Sequence, residues 1–205
     1  MSDISPQLVR ELRDKTNAGM MDCKRALTEA GGDLVKAEDI LRAKGIASAG
    51  KKASRSAKEG IVASYIHLQG KVGVLVEVNC ETDFVAKNDN FREFVKDITL
   101  HIAAANPTCV SREQVDPSEI ERERAIYRQQ VEGKPANIVE KIVEGKVDKF
   151  YGTICLMEQP FIKNPDVSIA DLVKSKITEL GENIVIRRFT RYMVGEGVTD
   201  EPAAE

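Results

Sequence analysis

The N-terminal segment places apolar residues at helical spacing between positions that begin or end helices. Ser5 followed by Pro6 is typical of a helix start, and Asp33 is predicted to cap a further helix. Gly31 and Gly45 are predicted helix ends, because glycine readily adopts the left-handed conformation that closes a helix. The pattern therefore predicts three short helices, which enclose a core near the lower size limit for independent folding.

The pattern of apolar residues changes after residue 60, where two β-rich runs flank Gln69-Gly70 and predict a hairpin. A predicted helix follows, and its apolar residues share one face: Phe91, Phe94, Val95, Ile98 and Ile102. Further helices and a last strand are then predicted over residues 117–133, 137–159, 169–180 and 183–194. Strands at both ends with helices between them favour an antiparallel sheet with helices packed on it, the α+β class.

Composition divides the chain into modules. Residues 1–46 form the predicted three-helix domain, and residues 47–60, rich in Ala, Ser, Gly and Lys, form a predicted basic linker. The α+β core is predicted over residues 61–197, followed by a polar tail, 198–205, that is expected to be disordered. Residues 1–58 hold 12 Lys or Arg against 8 Asp or Glu, although the whole chain carries a net charge of −3. This asymmetry supports two modules with different surfaces.

The composition is that of a globular protein, with 42% hydrophobic and 31% charged residues. No apolar run approaches the roughly 20 residues that span a membrane, and the N-terminus lacks a secretory signal pattern, so a cytoplasmic protein without a membrane partner is expected. A pI near 5.6 argues against direct nucleic-acid binding. Four cysteines without a CxxC pair, and only two histidines, indicate no metal site and no cofactor.

Sequence motifs for phosphate-binding loops, Gly-x-Ser-x-Gly hydrolases and His-Glu-x-x-His metalloproteases are absent. Weaker candidates remain open at the end of the second β-rich run. Cys80 could act as a thiol nucleophile with a histidine, and Glu81 with Asp83 could form a carboxylate pair or bind a cation. On spacing alone the preferred interpretation is a solvated strand end with Asp83 as a helix cap, which is compatible with a functional role for Asp83. The aromatic Phe84 stands outside the alternating pattern there, beside a carboxylate. The residues alone therefore predict a binding protein rather than an enzyme.

Several stretches, in order along the chain, resemble the translation elongation factor Ts family over about residues 5–197. They are LVRELRDKTNAGMMDCKRALTEAGGDLVKAEDILRAKG, NCETDFVAKN, LMEQPFIKN and LGENIVIRRF. The resemblance implies a guanine-nucleotide exchange factor that binds elongation factor Tu and acts without covalent chemistry. The chain is too short for the two core subdomains of longer members. The family therefore implies a homodimer that pairs single cores.

The resemblance also implies a site in the NCETDFVAKN stretch. The segment that matches the family's Mg²⁺-displacing motif consists of Thr82, Asp83, Phe84 and Val85. Phe84 is expected to act as a wedge between helices of the partner's nucleotide-binding domain. Asp83 is expected to hold the geometry of the motif or to disturb the polar contacts around the partner's magnesium.

Two other groups of residues are candidates for partner contact. The resemblance implies that Met20 and Met21 grip the same partner domain, and methionine suits an irregular binding surface. One of the two is expected to pack inward and the other outward. Arg187, Arg188 and Arg191 near the last strand could contact a partner, but a solvated or salt-bridged face is the preferred interpretation.

Competing functions follow from the same features. The three-helix domain resembles ubiquitin-associated (UBA) domains, so the chain could be an interaction adaptor that binds without altering nucleotide release. A thiol-dependent enzyme using Cys80 is a second alternative, and an activated thiolate would react with alkylating reagents at neutral pH. RNA binding is the weakest alternative, because an acidic chain with 5% aromatic residues offers no stacking platform.

Overall fold

A computed structural model describes residues 4–16, 18–131, 133 and 135–197 of the 205-residue chain. Within these residues the chain forms eight α-helices and five strands and belongs to the α+β class, as predicted. The helices are α1 (Pro6–Thr16), α2 (Met20–Glu29), α3 (Leu34–Lys52), α4 (Asp83–Ala86), α5 (Asp89–Ala105), α6 (Pro117–Gln130), α7 (Ala136–Ile154) and α8 (Ile169–Leu180). The strands are β1 (Glu59–His67), β2 (Val72–Cys80), β3 (Pro160–Phe161), β4 (Asn164–Ser168) and β5 (Val185–Met193).

The three N-terminal helices begin where the sequence predicts. The Ser5 hydroxyl accepts a hydrogen bond from Leu8 N at 3.2 Å, and the Asp33 carboxylate accepts one from Lys36 N at 3.1 Å. Gly31 has a φ of 64°, the left-handed conformation expected at the end of α2. The buried core of this region consists of Val9, Leu12, Cys23, Ala26, Leu27 and Ala37. The helical pattern predicts Val9, Leu12 and Ala37 in this core, and the buried residues of α2 complete it.

The third helix is longer than predicted. The expected end at Gly45 is wrong, because α3 continues to Lys52 through the first part of the predicted linker. Gly45 lies where α8 approaches α3: the Thr178 hydroxyl donates to the Gly45 carbonyl at 3.2 Å, and an added Cβ would lie 3.1 Å from Thr178 Oγ1. The glycine therefore serves a close helix contact rather than a helix end.

The main sheet has the strand order β1-β2-β5 and contains the predicted hairpin. Leu68 and Gln69 both adopt positive φ in the turn, at 49° and 56°. In β2 every second residue from Val72 to Val78 is a buried valine, while Leu75 on the opposite face is exposed. An added Cβ at Gly73 would lie 3.3 Å from the Ile66 side chain, so Gly73 and Ile66 share that exposed face. The sheet thus has one buried and one partly apolar, exposed face.

The helices between the strands lie where they are predicted, except that α7 ends at Ile154 rather than at residue 159. All five apolar residues predicted for one face of α5 are buried. Asp116 caps α6 by accepting from Ser118 N at 2.8 Å, and the helix ends at Gln130, slightly before the predicted Gly133. Helices α6 and α7 pack together over a cluster that includes Ile120 and Val143. Ion pairs link their exposed faces, Arg124 with Glu144 and Arg128 with Glu140.

Two features were not predicted from the sequence. A small antiparallel ribbon, β3–β4, pairs Pro160 with Ser168 and Phe161 with Asn164. Cys109 and Cys155, far apart along the chain, lie with their Sγ atoms 3.6 Å apart as free thiols. Burial and the neighbouring thiol raise the pKa of Cys155 to about 12. Both features depend on contacts that no local pattern encodes.

The chain divides into two compact units. One contains residues 1–60, 79–92 and 170–185, and the other contains residues 61–78, 93–169 and 186–205. The four-part domain scheme given above stays a prediction, and its tail, residues 198–205, lies outside the described residues. No helix in the described part of the chain is long and apolar enough to cross a membrane.

Candidate functional site

The segment Thr82–Val85 forms the junction between β2 and the short helix α4. Thr82 is extended and its hydroxyl accepts from Val85 N at 3.4 Å, which makes Thr82 the helix cap. The prediction that Asp83 caps a helix is therefore wrong. Asp83 is instead the first residue of α4, and its carboxylate accepts from Lys87 Nζ at 2.7 Å. This lysine lowers the pKa of the exposed Asp83 carboxyl.

Phe84 points into solvent. Its side chain is 81% exposed, the highest value among the exposed large apolar residues of the described chain, whereas Ala86 in the same helical turn is buried. An exposed single residue needs no explanation by itself, but a large aromatic ring on a firmly anchored turn offers apolar area to a partner. The turn thus presents Phe84 outward while its other face packs inward.

A carboxylate from a distant part of the sequence anchors this turn. Glu182, just after α8, accepts from the backbone N–H groups of Glu81 and Thr82, both at 3.0 Å. Its other oxygen accepts from the Thr82 hydroxyl at 2.6 Å. Three hydrogen bonds to one ionised group are stronger than neutral ones. Glu182 therefore supplies three of the hydrogen bonds that hold the start of α4.

A second set of contacts returns in the opposite direction. The Glu81 carboxylate accepts from Asn183 N at 2.7 Å and lies 3.5 Å from the Arg55 guanidinium. The buried Asn183 amide donates to the carbonyls of Ala53 at 3.3 Å and Arg55 at 2.8 Å. We define Arg55, Glu81, Thr82, Glu182 and Asn183 as the anchor network. It ties together three segments of the first unit.

Sequence reasoning missed most of the anchor network. Glu182 and Asn183 lie inside LGENIVIRRF, directly after Gly181, whose φ of 79° ends α8. A carboxylate after such a glycine was the available signal, but no periodicity relates it to Thr82. The cation hypothesis for Glu81 and Asp83 finds no support, since each carboxylate has a cationic side-chain partner. Among the described residues, no group of three or more His, Cys, Asp or Glu side chains is placed to hold a metal ion.

Cys80 lies at the end of β2 and is fully buried. Its thiol donates to the Thr82 carbonyl at 3.2 Å. Burial and the charge of Glu182 raise the pKa of Cys80 to about 11, so the thiol is protonated at neutral pH. The two histidines have other partners: His67 with the Tyr65 hydroxyl, and His101 with Gln159. These contacts do not support the thiol-enzyme alternative.

The other candidate residues have clear environments. Met20 and Met21 begin α2 and are 45% and 68% exposed, so the prediction that one of them packs inward is wrong. They lie in the same compact unit as residues 82–85. The preferred reading of the arginines as a salt-bridged face is confirmed. Arg187 and Arg188 pair with Glu77, and Arg191 pairs with Glu196.

The fold is of the α+β class, with three N-terminal helices, a sheet region and an anchored turn that exposes an aromatic residue. The family model described as Elongation factor TS matches residues 47–196. The chain is 60% identical to "Elongation factor Ts" of Alkaliphilus oremlandii, with 96% of this chain and 91% of that protein covered. It is 60% identical to the protein of the same name from Carboxydothermus hydrogenoformans and 58% identical to that of Geobacter sulfurreducens, covering 95% of this chain and 91% of each relative. The chain belongs to the elongation factor Ts family.

Proposed function

We propose that this chain is a guanine-nucleotide exchange factor that binds elongation factor Tu in its GDP form, displaces Mg²⁺ and promotes GDP release during protein synthesis. The observation that carries the proposal is the 81% exposure of Phe84 on a turn held by the anchor network. Membership of the elongation factor Ts family supports it. The chain acts in the cytoplasm, by binding alone, without a cofactor or direct contact with nucleic acid.

The mechanism is thermodynamic linkage. A factor that binds the empty GTPase more tightly than the GDP-bound GTPase must weaken GDP binding by the same ratio. GDP affinity depends on Mg²⁺ and on backbone amides around the phosphates. Phe84 enters between helices of the partner's nucleotide-binding domain, and Asp83 disturbs the polar contacts around the magnesium. No covalent bond is made or broken, so no acid, base or nucleophile is needed.

Met20 and Met21 provide a second contact with the same partner domain. Both side chains are exposed at the start of α2, and methionine adapts to irregular pockets. Their position in the three-helix region leaves the core of that region intact when they are buried by a partner, because that core is formed by other residues. The two contacts together place the partner on the first compact unit.

We also infer a homodimer formed through the core domain. The exposed face of the sheet carries Val62, Ile66 and Leu75, and exposed apolar patches of this kind mark interaction sites. A second copy covers such a face with the same residues, as a two-fold interface requires. Light scattering should give twice the chain mass for the intact protein and the single mass for Ile66→Lys. A single mass for the intact protein would refute the dimer.

Release of a fluorescent GDP analogue from elongation factor Tu tests the exchange function. The intact chain, Phe84→Ala and the control Ile138→Ala are compared with excess unlabelled GDP; Ile138 is an exposed apolar residue on α7. Loss of a hot-spot aromatic costs at least about 2 kcal/mol, roughly a 30-fold slower release for Phe84→Ala. Equal release rates for Phe84→Ala and the intact chain would refute the proposed role of Phe84 as a wedge. Binding by the intact chain without faster release would favour the adaptor alternative.

A further inference from the structure

The helix that carries Phe84 is too short to hold its own conformation. Helix α4 has four residues, Asp83–Ala86, and one turn of helix pays the full cost of nucleation for little gain. Its conformation therefore depends on contacts with other parts of the chain. At the N-terminal end these contacts are the Thr82 cap and the three hydrogen bonds to Glu182.

The cap itself depends on Glu182. A hydroxyl group has one hydrogen to donate and two lone pairs to accept with. The Thr82 hydroxyl donates that hydrogen to Glu182 at 2.6 Å, which leaves its lone pairs available for Val85 N at 3.4 Å. Without Glu182 the hydroxyl is free to rotate, and two backbone N–H groups lose their acceptor. Phe84 lies in the chain between Thr82, which provides the cap, and Val85, whose N–H group is capped. The direction of the Phe84 side chain therefore depends on the same hydrogen bonds.

We propose that Glu182 is a positioning residue for nucleotide exchange: its carboxylate holds the turn so that Phe84 meets the partner in one orientation. This inference rests on the proposed exchange function. Glu182 acts through Thr82 and α4 and has no direct contact with the partner in this account. Asn183 and Glu81 support it from the other side, because Glu81 accepts from Asn183 N at 2.7 Å and so fixes the loop that carries Glu182.

The test measures GDP-analogue release from elongation factor Tu with Glu182→Ala, Glu182→Gln and the control Glu140→Ala. Glu140 is an exposed ion-paired carboxylate on α7. Misplacement of a reacting or binding group by about 1 Å can cost up to roughly 100-fold, so Glu182→Ala should slow release by about 10- to 100-fold. Glu182→Gln should recover most of the rate, because its amide oxygen still accepts from the backbone and its NH₂ group donates to Thr82.

A double-mutant cycle separates positioning from other roles. In a Phe84→Ala background, Glu182→Ala should slow release by less than about two-fold, because the residue that it orients is gone. The Val85 amide should exchange hydrogen faster in Glu182→Ala, while the chain stays folded at the assay temperature despite the loss of three hydrogen bonds. Full additivity with Phe84→Ala would overturn the inference, as would an unchanged release rate in folded Glu182→Ala.

Two remaining outcomes are also decisive. Global unfolding of Glu182→Ala would make Glu182 a residue of general stability and end its proposed positioning role. Failure of the intact chain to accelerate release would remove the exchange function and this inference with it. That outcome differs from an intact chain that is active beside an equally active Glu182→Ala, which would remove the inference alone.

Discussion

The buried pair His101–Gln159 permits a quantitative stability prediction. Gln159 is 4% exposed, and its Oε1 lies 2.9 Å from His101 Nε2. Its Nε2 donates to the Thr153 carbonyl at 2.6 Å and to the Ala105 carbonyl at 3.4 Å. His101 Nδ1 accepts from Ile162 N at 3.3 Å, so the ring hydrogen lies on Nε2 and is donated to Gln159. One amide thus serves a buried donor on His101 and two carbonyl acceptors in partly buried hydrogen bonds.

Replacement of Gln159 by alanine should leave His101 Nε2 and the Thr153 carbonyl without partners. Only the His101 group is fully buried, and an unsatisfied buried polar group costs about 1–3 kcal/mol, so the free energy of unfolding should fall by roughly 1–3 kcal/mol. For a chain of this size 1 kcal/mol corresponds to a shift of about 2–4 °C, so the melting temperature should fall by roughly 2–12 °C. Circular dichroism during heating measures this change.

The matched control is Gln130→Ala. Gln130 is exposed at the end of α6, where it accepts a hydrogen bond from Lys146, and exposed substitutions usually change stability by less than about 0.5 kcal/mol. Equal melting temperatures for Gln159→Ala and Gln130→Ala would refute the reasoning. That result would mean that solvent reaches His101 and Thr153 and replaces the lost amide.

Three further predictions concern single side chains. Burial lowers the pKa of His101 below its usual 6.5, so the unfolded chain binds more protons than the folded chain in the pH range between the two pKa values. The free energy of unfolding should therefore be highest above pH 6.5 and should fall as the pH decreases towards the lowered pKa. Equal urea midpoints at pH 7.5 and 5.5 would contradict this prediction. Cys80, with its pKa raised to about 11, should resist iodoacetamide at pH 7 until the chain unfolds, and rapid alkylation would revive the thiol-enzyme alternative. Alanine favours a helix by about 1 kcal/mol over glycine, but Gly45→Ala should not raise the free energy of unfolding, because the added Cβ would meet Thr178. The same substitution should raise it in a Thr178→Ala background. A gain from Gly45→Ala with Thr178 present would contradict the close approach.

Local signals account for what the sequence predicts well. Each capping side chain lies within three residues of the N–H group that it caps, as seen at Ser5, Asp33 and Asp116. The helix starts can therefore be predicted from the local sequence. The face of α5 follows from its periodicity. Gly45 shows the limit, because its role depends on Thr178, more than 130 residues away. A long-range contact overrode the local preference of glycine for a helix end.

The candidate site shows the same division. The position of the turn at residues 82–85 can be predicted from a strand that ends beside an unexpected aromatic residue. Its predicted role in nucleotide exchange comes from the family resemblance. The choice of Thr82 rather than Asp83 as the cap was beyond the sequence, since both residue types are good caps. Glu182 was beyond it too, because hydrogen bonds across 100 residues leave no periodic trace. The functional roles of residues 82–85 and of Met20 and Met21 stay predictions.

The distance along the chain between Thr82 and Glu182 has a consequence for synthesis. The two residues are 100 positions apart. At about 5–20 residues per second, roughly 5–20 s separate the moments at which a ribosome adds them. A chain that ends before Glu182 therefore carries the whole segment Thr82–Val85 without its anchor. On the proposed function and the proposed role of Glu182, such a chain is a poor competitor for elongation factor Tu, and full activity requires that Glu182 has been added.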